Sequence, residues 1–98
     1  MAAPSWTFLS NHGHVLICLA RDPDARLRDV AVQVGITERA VQGIVADLVR
    51  DGYVDKERVG RRNHYEVHEH MPLRHPLEDD HDVGALLAAI ASSADVDS

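Results

Sequence analysis

Residues 29–48 read DVAVQVGITERAVQGIVADL, and the order of small, turn-forming and aliphatic residues in them decides the fold. Two short helices joined by a tight turn cross at a steep angle, which demands a small residue where they touch; Ala31 stands there. The turn demands a residue tolerant of the left-handed region four positions on, and Gly35 supplies it. Aliphatics must fill the interior, and Val30, Val34, Ile36, Val41 and Ile44 do so. Thr37 is placed to cap the second helix, with Glu38 in its first turn against the positive end of the helix dipole. The complete register carries weight that one small residue and one glycine would not. It is the helix-turn-helix pattern, in which the second helix is offered to the DNA major groove.

Working outward, the first of these helices is expected from Arg28 to Val34 and the second over 38–51, where Gly52 ends it. Val41, Ile44, Val45 and Leu48 recur at the spacing of one helix face. Upstream, Val15, Leu16 and Leu19 predict a helix over 11–20, capped by Ser10 or Asn11 and stopped ahead of Pro23. Cys18 falls among these aliphatics and reads as a small buried hydrophobe. Downstream, 53–59 and 63–68 predict two antiparallel strands around Gly60-Arg61-Arg62, with Tyr65 and Val67 on one face and His64, Glu66 and His68 on the other. Pro72 and Pro76 then break the chain, and a last helix is expected over 77–91, with Pro76 near its first position and the acids of LEDDHD in its first turn. The expected fold class is mainly α with a small β-hairpin wing: a winged helix-turn-helix of three helices, two strands and a fourth helix. The expected organisation is an N-terminal arm at 1–10, the winged helix-turn-helix at 11–70, a dimerising helix at 71–92 and a flexible tail at 93–98.

Ninety-eight residues suit one small domain with a limited core, which an oligomeric interface would support. Trp6, Phe8, Tyr53 and Tyr65 are the only aromatics, a composition closer to a helical domain than to a β-sandwich. The apolar runs VLICLA and ALLAAIA fall far short of the ~20 residues of a spanning helix. MAAPSWTF has no basic segment followed by an apolar one, and Cys18 has no partner for an internal disulfide, so a cytoplasmic protein is expected. Sixteen acidic and ten basic residues give a net charge of −6, but six of the acids lie after residue 76, which leaves ten against ten before it. Within that neutral body, 56–64 carries Lys56, Arg58, Arg61 and Arg62 against Glu57 alone. Screening acts over ~8 Å at physiological salt, so this local patch sets what the hairpin attracts.

The order helix, helix-turn-helix, GYV and a polar hairpin with a GRR tip resembles winged-helix regulators of the MarR-like kind. FLSNHGHVLICLARDPDARLRDVAVQVGITERAVQGIVADLVRDGYV and VGRRNHYEV, followed by PLRHPLE, are similar to small actinobacterial MarR-like regulators, over about residues 6–91. The resemblance implies that the hairpin is a wing lying along DNA beside the recognition helix. At ~100° per residue, the side opposite Val41–Leu48 holds Arg39, Gly43 and Ala46, with Gln42 at its edge. Arg39 suits guanine O6 and N7, and Gln42 suits adenine N6 and N7. Thr37, Gln42 and the amides of the first turn suit phosphates, Glu38 shares that turn, and Arg28 is placed to clamp the adjacent backbone. Arg58, Arg61, Arg62 and Asn63 are expected to hold the wing on phosphates or in the minor groove. Gly43 departs from the long basic residue common in similar sequences, and a mid-helix glycine costs roughly 1 kcal/mol against alanine. Trp6, Phe8, Val83, Leu86, Leu87 and Ile90 are expected to form a two-fold dimer interface, which would set half-sites one DNA turn, ~34 Å, apart.

Other readings compete. A winged-helix module that binds protein and not DNA fits Gly43 and the neutral body charge. Seven histidines, among them His12, His14, His64, His68 and His70, raise a metal site, which metal-sensing relatives of the fold build from His, Asp and Cys. No HExxH or CxxC spacing is present, so neither metal nor cofactor is expected. No nucleophile–base pair or phosphate loop suggests an enzyme. The expected partners are double-stranded DNA and a second copy of the chain, with no membrane, and a small-molecule effector left open.

Overall fold

The computed structural model describes residues 4–90. Its elements follow the expected order: α1 (Asn11–Arg21), α2 (Leu27–Val34), α3 (Glu38–Arg50), β1 (Val54–Val59), β2 (Arg62–Val67) and α4 (Val83–Ile90). This is a winged helix: three helices, a two-stranded antiparallel hairpin and a fourth helix. Ser10 starts α1, its hydroxyl accepting from the Gly13 amide at 3.3 Å. Thr37 starts α3, accepting from the Ala40 amide at 3.0 Å. Between α2 and α3, Gly35 takes φ 88°, and the Gly35 and Ile36 amides both close on the Ala31 carbonyl, at 2.8 and 3.1 Å. That turn tilts the two helices across Ala31, which is buried.

The core is the stripe the periodicity marks out. Val15, Leu16, Ile17 and Leu19 of α1 meet Val30 and Ala31 of α2, and Val41, Ile44, Val45 and Leu48 of α3. Tyr53, Val54 and Tyr65 carry the hairpin base into the same cluster, and Tyr65 is 1% exposed despite its hydroxyl. Val59 is exposed at the far end of β1, where the hairpin projects beyond the helices. The strands pair from Val54 with Val67 to Val59 with Arg62, so the loop is Gly60–Arg61 alone and Arg62 belongs to the strand. Cys18 also differs from expectation: it is half-exposed at the edge of α1, its Sγ 3.5 Å from Gln33 Oε1.

The largest correction lies near the C-terminus. The expected helix over 77–91 begins only at Val83, so Pro76 does not open it and the acids of LEDDHD do not fill its first turn. Asp82 provides the cap, its Oδ1 accepting from the Ala85 amide at 2.8 Å. Residues 77–82 form turns, with the Glu78 amide on the His75 carbonyl at 2.8 Å and the His81 amide on the Glu78 carbonyl at 2.9 Å. LEDDHD has no apolar stripe for a helix to bury, and its one aliphatic, Leu77, is exposed. The turn-rich segment closes at its base, where the Leu73 amide bonds the His81 carbonyl at 3.0 Å and Val83 bonds Met71 at 2.9 Å. Ala91, where the helix was expected to end, and the expected tail at 93–98 lie outside the described residues. α4 packs on α1, and Val83 and Leu87 are buried in the core of this same subunit.

Candidate nucleic-acid interface

The two faces of α3 have separate work. Val41, Ile44, Val45 and Leu48 are buried, which fixes the helix's rotation, and the same rotation leaves Arg39, Gln42, Gly43 and Ala46 in solvent. Among the described residues, neither Arg39 nor Gln42 has a hydrogen-bond or ion-pair partner, so their donors are uncommitted. Thr37 and Glu38 are exposed at the start of the helix, where the free amides of the first turn concentrate partial positive charge. Arg28 is exposed in the first turn of α2. Further along α3, Gln42, Ala46, Val49 and Arg50 line a hollow of about 370 Å³ with Leu27 of α2 and Lys56 of β1. Helix and hairpin therefore border one concavity.

The wing is tied to the body by a contact the sequence did not suggest. The Tyr65 amide donates to the Pro23 carbonyl at 2.8 Å, so the loop between α1 and α2 lies along the free edge of β2. Arg62 Nη2 donates to the Asp24 carbonyl at 2.7 Å, and His64 Nδ1 sits 2.8 Å from Asp24 Oδ1. This hydrogen bond raises the His64 pKa above its ordinary value, helped by the charges of Asp24, Glu57 and Glu66. Arg62 thus spends part of its guanidinium holding the wing in place. Arg58 Nε donates to the Gly60 carbonyl at 3.3 Å and stiffens the tip. Asn63 is half-exposed and hydrogen-bonds the Tyr65 side chain, whose pKa is raised chiefly by burial. Arg61, at the tip, is exposed and has no partner among the described residues. In the sequence Pro23 marks only the stop of a helix, and no local signal links Asp24 to residues some forty positions away.

Charge at the other end of α3 is used internally. Arg50 Nη1 lies 3.2 Å from Asp47, and Arg50 Nη2 lies 3.2 Å from Asp51. Asp51 also takes Arg74 Nη1 at 2.6 Å, and Asp47 takes His12 Nε2 at 2.9 Å. Both carboxyls are held below their usual range, Asp47 first by the His12 hydrogen bond and Asp51 first by Arg50, then Arg74. These pairs pin the loop after β2 to the end of α3. They border an open cleft of about 920 Å³ between the N-terminal arm, α1, α3 and residues 73–86. Trp6 and Phe8 stack edge to face, centroids 5.0 Å apart, and are exposed; Leu86 and Ile90 are half-buried. The histidines pair with separate aspartates: His12 with Asp47, His64 with Asp24, and His68 with Asp55 at 2.9 Å. Among the described residues no three His, Cys, Asp or Glu side chains gather as a metal site, and no helix is long and apolar enough to cross a membrane.

A polar face on the second helix of a helix-turn-helix, flanked by a basic hairpin, is the architecture of a winged helix-turn-helix. Residues 10–55 match the family model described as winged helix-turn-helix DNA-binding. The PcaV transcriptional regulator from Streptomyces coelicolor aligns with a TM-score of 0.52 and 31% identity over 60% of this chain and 46% of that one. The same regulator in complex with its natural ligand aligns with a TM-score of 0.54 and 24% identity, over 90% of this chain and 67% of that one. In the first alignment this chain spans less than half of PcaV, at 46%. No curated protein sequence matches it.

Proposed function

We propose that the chain is a transcriptional regulator that reads a palindromic DNA site as a homodimer. The observation that carries this is the uncommitted pair Arg39 and Gln42 on the solvent face of α3. Arg39 reads guanine and Gln42 reads adenine in the major groove, while Thr37, Glu38 and Arg28 border the phosphates of the same groove. Arg61 supplies the wing's main phosphate or minor-groove contact. Arg58, Arg62 and Asn63 shape the wing, with Arg62 a weaker contributor because Asp24 holds it. Trp6, Phe8, Leu86 and Ile90 form the dimer contact, while Val83 and Leu87 belong to the subunit's own core. PcaV takes a ligand, and the cleft of about 920 Å³ is where this chain has room for an effector.

Selection from a random-sequence duplex library, followed by titration of the recovered duplex, tests this reading. Arg39→Ala is expected to cost about 1–3 kcal/mol and relax preference at one base position. Arg61→Ala is expected to weaken all duplexes alike and flatten the log–log salt slope by about 1. Absence of binding at micromolar protein and low salt would instead favour a protein-binding module.

A further inference from the structure

The chain has six glycines, and backbone conformation or close packing accounts for four of them. Gly35, Gly52 and Gly60 have left-handed backbones that other residues rarely adopt. A Cβ on Gly84 would lie 3.2 Å from the Glu69 carbonyl oxygen, tighter than such contacts normally run, whereas one on Gly13 would meet Leu9 at an ordinary 3.4 Å. Gly43 is different. Its φ is not positive, it sits inside α3, and a Cβ there would meet nothing within 4 Å. The free protein would therefore be more stable with alanine at 43, given the helix-propensity penalty of glycine. Neither packing nor backbone geometry within the subunit explains the missing side chain, which leaves the surface the helix meets.

Resting on the DNA-binding reading above, we infer that Gly43 is a specificity-determining residue: its bare backbone lets α3 seat against base-pair edges on the floor of the major groove, beside the contacts of Arg39 and Gln42. An α-helix with its side chains is about 10–12 Å across and the groove about 12 Å wide, so clearance is small. Depth is then set by the residue facing the floor. Gly43 occupies that place, one residue after Gln42 and four after Arg39, and Ala46, the next exposed residue along the helix, is also small. A methyl at 43 extends about 1.5 Å from Cα, enough to lift the helix and lengthen the hydrogen bonds of its neighbours Arg39 and Gln42. The lift matters only where side chains meet base edges. Contacts from flexible side chains to phosphate on an unrelated sequence tolerate it.

The test uses the full chain, the duplex selected by wild-type protein, and an unrelated duplex of equal length. Gly43→Ala is expected to raise the thermal midpoint by roughly 4–8 °C. It is expected to weaken the selected duplex by about tenfold while leaving the unrelated one nearly unchanged. Gly43→Met should weaken the selected duplex further. Equal affinity of wild type and Gly43→Ala for the selected duplex overturns the inference and leaves the DNA-binding reading standing. A Gly43→Ala protein less stable than wild type overturns it too, since the fold would then need the glycine. If the wild type selects no duplex, the DNA-binding reading itself falls and the inference with it.

Discussion

Residues 29–48 and residues 69–90 each deliver a helix onto α1, but they are closed in opposite ways. In the first region every decisive bond is local: Gly35 to Ala31 at 2.8 Å, and Ala40 to the Thr37 hydroxyl at 3.0 Å. In the second, closure reaches across the chain. The Gly84 amide bonds the Glu69 carbonyl at 2.7 Å, Val83 bonds Met71 at 2.9 Å, and the Tyr53 hydroxyl donates to the Pro72 carbonyl. A region closed by neighbours announces its ends through residue type. A region closed by distant partners takes its shape from where those partners already are, and composition alone misplaces it.

The comparison holds only if both helices belong to one core, and truncating each tests that. Leu48 on α3 and Leu87 on α4 are both nearly buried, at 8% and 6% exposure. Leu48→Ala and Leu87→Ala are each expected to cost about 2–5 kcal/mol in denaturant unfolding. The cost of Leu87→Ala should not vary with protein concentration, because its contacts lie within the subunit. A small or concentration-dependent loss would return α4 to the role of a surface helix, and the two regions would no longer share a core.

Much of the helix-turn-helix was legible because its signals are paired within a turn of chain: small residue with glycine, cap with amide, aliphatics at helical spacing. The buried and exposed faces of α3 follow from that spacing. The last helix was misplaced because acids after a proline also suit a helix start, and only Asp82, the last of them, caps. The half-exposure of Cys18 was hidden because a short helix among aliphatics does not reveal which flank stays open. The tie between Asp24 and β2 could not be read from residue types, since it depends on where the hairpin lies. The caps sharpen the contrast at a smaller scale. Thr37→Ala and Asp82→Ala each remove one side-chain acceptor from a helix start and are each expected to cost about 1 kcal/mol. If loss of Asp82 costs nothing, the bonds to Glu69 and Met71 alone position α4, and the distant closure suffices without a cap.

The smallest effect concerns the wing, where local and distant closure meet. The hairpin ladder is local, but Asp24 holds it through Arg62 and His64. His64 is opposite Glu57 on the neighbouring strand and two residues from both Glu66 and Arg62, and its pKa is raised from 6.5, first by the Asp24 hydrogen bond. A group with a higher pKa folded than unfolded binds more protons in the native state. Its contribution is therefore complete below about 6.5, and is lost as pH rises through the higher folded value. Both partners are exposed, so the effect is modest and screened by salt. Titration of the His64 ring by NMR is expected to give a pKa above the ordinary histidine value, returning toward it in Asp24→Asn. The stability gap between wild type and Asp24→Asn should shrink as pH climbs from neutral into the alkaline range. A gap that stays constant across that range would mean that the Asp24 carboxylate supports the wing without the imidazole's charge.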